Sequence, residues 1–174
     1  SLCDLVPTPE NEANLKHLMG LSKLDEACEM THRLCLYLHD VKQEGLIPSL
    51  LGKLPKTIAN RKFAVELKQK FTPARVWGEK EICYYASFGG PHFEQWTPDN
   101  LKSGIGGSET AVIWLSRWWT EMGYKVTVYG DPGVKEGNYQ GVTWLPWFEF
   151  NPKDKFNIFI QWRNNSFAGR ISCK

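Results

Sequence analysis

Ile82-Cys83-Tyr84-Tyr85-Ala86-Ser87 leads, across a long loop, into Ser103-Gly104-Ile105-Gly106-Gly107-Ser108-Glu109-Thr110, and later into Lys125-Val126-Thr127-Val128-Tyr129-Gly130. The first run is continuous, apolar and β-favouring, as a strand buried on both faces requires. Between the second and third stretches, Ala111, Trp114, Leu115, Trp118 and Met122 recur at helical spacing. They predict a helix over 111–122 with that stripe as its buried face. Ser108 suits its N-cap, Glu109 the positive end of its dipole, and Gly123 the residue just past its end. Residues 142–145 read as a third strand. Residues 156–162 read as a fourth, apolar enough for a central position. Strand, helix and strand with a right-handed crossover open a doubly wound parallel sheet. The expected fold class is therefore α/β, a Rossmann-like parallel sheet.

Outward from this grammar, the front of the chain has a different texture. From about residue 10 to 70 the apolar residues recur with a helical period, beginning with Leu15, Leu18 and Met19. Gly45, Pro48, Gly52 and Pro55 mark turns around a short apolar piece. A further helix is expected over 57–71, with Ile58, Phe63 and Leu67 inward, stopped by Thr72-Pro73. The expected division is a helical segment, 1–76, and an incomplete α/β domain, 77–174.

The chain has 174 residues, 42% of them hydrophobic, which is enough for a real core. Its 21 Lys+Arg against 19 Asp+Glu leave a net charge of +2, so charge gives no reason to propose nucleic acid or an anionic membrane as a partner. No apolar run approaches the ~20 residues that span a bilayer, and the amino terminus carries no basic-then-apolar leader. The five cysteines are odd in number, scattered and free of any C-x-x-C pair. A cytoplasmic protein with reduced thiols is expected. Cys28, His32, Cys35 and His39 share one helix face, but a single straight helix cannot wrap four ligands around one ion. Packing against a neighbouring helix is the expected role, and no metal is expected.

The glycine-rich turn carries the functional signal. It leads from the carboxyl end of the first strand into a helix amino terminus, where ligands of open α/β sheets bind. Glycines admit close backbone approach, and free N–H groups favour an anion such as phosphate. The competing reading is that Gly106 and Gly107 only tighten a turn and let helix and strand pack. No lysine follows the glycines, so this is not a P-loop. The third glycine of a dinucleotide fingerprint would fall at Glu109, so that motif fails too, although Asp131 ends the second strand where an NAD-binding acid would sit.

Four ordered pieces carry a resemblance: residues 82–87, Trp96-Thr97-Pro98-Asp99, Gly104 through Val112, and Gly123-Tyr124 with the strand that follows. Glu149-Phe150-Asn151-Pro152 and Gln161-Trp162-Arg163-Asn164 extend it. Together they resemble the amino-terminal domain of a GT-B glycosyltransferase, nearest to glycosyltransferase family 4, over about residues 79–174. The resemblance implies half of a two-domain fold with substrates in the cleft between domains. It implies transfer of a sugar from a nucleotide-diphosphate sugar donor to a glycan or other hydroxyl acceptor, with no cofactor or metal. Carried over, it points to Gly106, Gly107 and Ser108 as backbone contacts of the donor diphosphate or the acceptor. Arg163 either faces the cleft or forms a surface pair. No catalytic residue is assigned. The nucleotide pocket and paired acidic motif of the family belong to a second, carboxyl-terminal domain, so this chain alone is expected to be inactive, and its open half-cleft favours a homo-oligomer.

His92, in the loop with Glu94 and Asp99, either touches an acceptor or is simply solvated. Trp96, Trp144 and Trp147 either stack on a sugar ring or pack in the core. Two rival readings stay open: a non-catalytic interaction module recruiting a partner through the helical front, and a dinucleotide-binding domain.

Overall fold

The computed structural model describes residues 9–86, 96–163, 165 and 167–173, with side chains from residue 20 onward. The chain divides into two compact units, Ser1–Phe71 and Thr72–Lys174.

The first unit is helical. The 32-residue helix α1 (Pro9–Asp40) is followed by α2 (Ile47–Leu51), α3 (Lys56–Ala59) and α4 (Lys62–Phe71). The single helix expected over 57–71 is thus two, interrupted at Asn60-Arg61. Both pieces still turn their apolar residues inward: Ile58, Ala64 and Leu67 are buried. Cys35, Ile47, Leu51 and Leu67 form the core. The Cys/His stripe of α1 packs as expected. Cys35 is buried, His32 lies against Phe63 with ring centroids 5.9 Å apart, and His39 against Phe71 at 5.6 Å.

The second unit is α/β. Its strands are β1 (Glu81–Tyr85), β2 (Lys125–Gly130), β3 (Gly137–Tyr139), β4 (Val142–Pro146), β5 (Lys155–Phe156), β6 (Ile158–Gln161) and β7 (Ser172–Cys173), and its helix α5 is Gly107–Glu121. The five-stranded sheet has the order β3-β4-β2-β1-β6. All its pairings are parallel except β3 with β4, which a Gln140-Gly141 turn joins with both residues at positive φ. β5 and β7 form a separate parallel pair.

Ile82, Tyr84, Val112, Ile113, Val126, Val128 and Trp144 build the core on the α5 face. Trp77, Cys83, Tyr85, Tyr129, Phe150 and Phe156 build the opposite face. Residues 72–76 belong to this unit: Arg75 N–H donates to Asp154 Oδ1 at 2.9 Å, and Val76 bridges to Lys155. Buried Asp154 also accepts from the Trp77 indole N–H at 2.9 Å, so one carboxylate ties the entry of the unit to the start of β5.

Two expectations are corrected. The run 156–162 is bent at Asn157 into β5 and β6, and β6 stands at the end of the strand order, not in the middle. Its residues are half-buried, because only β1 pairs with it among the described residues. More consequentially, α5 buries Val112, Ile113 and Ser116, while Trp114, Trp118 and Met122 of the expected core stripe are exposed. Both faces of the helix are apolar. The stripe that meets the sheet is Val112, Ile113 and Ser116 together with Trp119, whose ring lies 5.7 Å from that of Tyr84.

Candidate functional site

The strand order reverses at β1. From β1 the chain crosses through α5 to β2 and on to β4, whereas β6 lies on β1's other side. In open α/β sheets the crevice at the carboxyl ends of such a pair is where ligands bind. Here the pair is β1, ending at Tyr85, and β6, ending at Gln161, held together beyond their ends by Trp162 N–H donating to Tyr85 O at 2.9 Å.

Four of the residues singled out from sequence meet there. Gly106 is the N-cap of α5 and starts its hydrogen-bond ladder, its carbonyl accepting from Thr110 N–H at 3.0 Å; Gly107 is the first helical residue. Ser108 does not cap the helix as expected. The cap is a glycine without a side chain, and the Ser108 hydroxyl instead donates to Glu109 Oε2 at 2.8 Å. Arg163, just past β6, places Nη1 2.5 Å from Glu109 Oε1. The carboxylate of Glu109, 14% exposed, is thereby folded back over the start of α5. It sits where the free N–H groups and the dipole favour an anion. Arg163 itself has a φ of +58°, a conformation that costs a non-glycine residue about 1 kcal/mol or more.

The glycine pair can be judged on local geometry. Gly106 has φ −57° and ψ 151°, open to any residue. A Cβ there would meet the side-chain ends of Glu109 and Ser108 and displace the Glu109 carboxylate, and a Cβ at Gly107 would meet nothing within 4 Å. Neither a turn nor helix–sheet packing demands glycine at these two positions. The turn glycine of the segment is Gly104, at φ +85°. The bare backbone at 106–107 adds no side chain of its own to the mouth of the crevice, which the Glu109 carboxylate overhangs.

Beside Arg163, Gln161 Nε2 and Trp162 Nε1 are buried donors with no partner among the described residues. Buried polar groups are normally satisfied, so each donor can take an acceptor; the two lie on opposite faces of the sheet, Trp162 packing on Tyr84 on the α5 side.

A polar cluster which the sequence reading missed braces the neighbouring loops. The Tyr139 hydroxyl donates to Asp99 Oδ1 at 2.7 Å and Lys135 Nζ lies 3.0 Å from Asp99 Oδ2. The hydrogen bonds from Tyr139 and Lys135 hold the Asp99 carboxyl below its ordinary range, while the bond to Asp99 raises both Tyr139 and Lys135. The loop before α5 is thus tied to the loop after β2. Only the separate residue types were visible in sequence; their meeting across 40 positions was not. Glu109 was equally visible as a dipole-compatible acid, but its pairing with Arg163 was not.

Of the tryptophans considered as sugar platforms, Trp144 is buried and meets Trp96 edge-on with centroids 6.0 Å apart, and Trp147 packs on Phe148 at 5.7 Å. His92 lies outside the described residues. Among the described residues no group of three or more His, Cys, Asp or Glu could hold a metal ion, and no helix is long and apolar enough to cross a membrane.

No family model, curated protein or solved structure matches this chain.

Proposed function

We propose that residues 72–174 are the Rossmann-like, acceptor-side lobe of a GT-B glycosyltransferase, and that the crevice between β1 and β6 receives the diphosphate end of a nucleotide-sugar donor. The observation that carries the reading is the pair Arg163–Glu109, which joins the end of β6 to the amino terminus of α5 across the strand-order reversal. It puts a guanidinium, bare glycine backbone and a helix amino terminus at one crevice, the combination that favours a phosphate. The ordered resemblance over 79–174 supplies the reaction class. In that reaction the bond between the anomeric carbon and the diphosphate oxygen breaks and the diphosphate keeps the electron pair. The acceptor oxygen bonds to the carbon and gives up its proton. The α5 N–H groups and Arg163 would oppose the negative charge growing on the diphosphate. A partner lobe would supply the nucleotide pocket.

Titration of the 174-residue chain with UDP and with GDP, followed by the backbone amide resonances, tests this. The amides of Gly106, Gly107 and Ser108 should move first, with millimolar affinity. Arg163→Ala should weaken the interaction about fivefold, or ~1 kcal/mol. Unmoved amides at 106–108 up to about 10 mM nucleotide, a concentration equivalent to barely 3 kcal/mol of binding, would overturn the reading.

A further inference from the structure

We propose that the outer face of α5 is a self-association surface, on which two copies of this chain pair their α5 helices antiparallel about a two-fold axis through Trp118. Trp114, Trp118 and Met122 are 44%, 54% and 69% exposed. They form a stripe at i, i+4 and i+8 that belongs to none of the core clusters. Ala111, Trp114, Leu115 and Trp118 line a purely apolar hollow on this face. Those four positions, i, i+3, i+4 and i+7, are the diamond that accepts one side chain from a facing helix.

The occupant is specified by the stripe itself. Trp114 and Met122 are equidistant from Trp118. In an antiparallel pair centred on Trp118, the Met122 thioether of one copy therefore enters the other's hollow beside Trp114, and the reverse contact forms by symmetry. Sulfur against an indole is a favourable contact. The charges fit the same register. Arg117, whose guanidinium lies 5.4 Å from the Trp114 ring centroid, falls about one-half turn from Glu121 of the second copy, giving two equivalent ion pairs at the rim.

Area sets the strength. Two half-exposed indoles and one methionine offer on the order of 400 Å² per copy. The pair would bury about 800 Å², below the ~1,200–2,000 Å² of a stable dimer, so a weak, concentration-dependent dimer is expected.

Sedimentation velocity of the whole chain from about 1 to 500 μM should show a monomer–dimer equilibrium with a midpoint in the upper micromolar range. Met122→Glu and Trp118→Glu should leave monomer throughout, with far-UV circular dichroism unchanged because both residues are exposed; the milder Met122→Ala should weaken association at least threefold. Arg117→Glu and Glu121→Arg should each weaken association about threefold or more, and the double variant should restore it to within twofold. Monomer at every concentration would overturn the proposal. So would a dimer indifferent to Met122→Ala, a double variant as weak as the singles, or tryptophan-dependent flotation with phosphatidylcholine–phosphatidylglycerol vesicles in place of dimerisation.

Discussion

Arg163 combines a costly backbone conformation with a charged contact, and the two can be separated by substitution. Glycine has no steric objection to φ +58°, so Arg163→Gly should hold or raise stability by up to about 1 kcal/mol in urea unfolding. The same change removes the guanidinium and should weaken the nucleotide titration of the amides at 106–108 about fivefold, as Arg163→Ala does. A stability loss above about 1 kcal/mol would show that the ion pair, not the crevice, is why arginine stands there. Glu109 gives the complementary test. Its carboxylate competes for the helix amino terminus, so Glu109→Gln should tighten inorganic pyrophosphate binding about two- to fivefold, read by calorimetry. At this scale residue type and position alone bring out the glycines, the serine and the arginine as candidates, and the structure places them at one end of the sheet. The use of Ser108 and Glu109 was not legible, because a side chain's partner depends on what β6 brings back from 54 residues away.

Element boundaries follow local chemistry, and here the strands β1, β2 and β4 and the turn at Gly123 fell close to where apolar runs and glycine placed them. The face of α5 did not. Periodicity reports that a helix has an apolar stripe, yet α5 has two, and the choice rests on which one matches the relief of Tyr84, Val126 and Val128. The bend at Asn157 is a second case. Its side-chain amide donates to Glu79 O at 2.6 Å, a contact between segments distant in sequence. Asp154 shows how an element's start is held. Asp154→Ala leaves both the Trp77 indole N–H and the Arg75 amide without acceptors, so it should cost about 2–4 kcal/mol in urea unfolding. Asp154→Asn retains one acceptor and should cost less. Equal losses for the two variants would count against this account.

The whole molecule should respond to pH at both extremes for reasons written in its packing. Burial raises Tyr84 and Tyr85 to about 12 and raises Tyr129 further. Their neutral forms are favoured in the folded state. That stability is complete below the ordinary tyrosine range near pH 10 and is lost as pH climbs toward the folded values. Absorbance at 295 nm should therefore show these tyrosinates arising together with loss of near-UV dichroism; ionisation well ahead of unfolding would contradict it. At the acid end, burial alone would raise Glu81, but the Gly78 N–H at 2.6 Å and the Arg75 guanidinium outweigh it and lower the group. Its contribution is present above the ordinary carboxylate range, near pH 4.3, and is lost as pH falls through the lower folded value. Glu81→Gln should flatten the acid limb of the stability profile by about 1 kcal/mol.

Local physics was enough to announce an α/β unit behind a helical one. A β-favouring run, a glycine-rich turn, a helical period and a second β-favouring run each state their conformation within a few residues. What local physics could not reach was the strand order, the buried side of α5 and the meeting of Arg163 with Glu109. Each of these depends on groups far apart in the chain, and each is chosen by how densely apolar surfaces fit and how buried polar atoms find partners once the sheet has assembled.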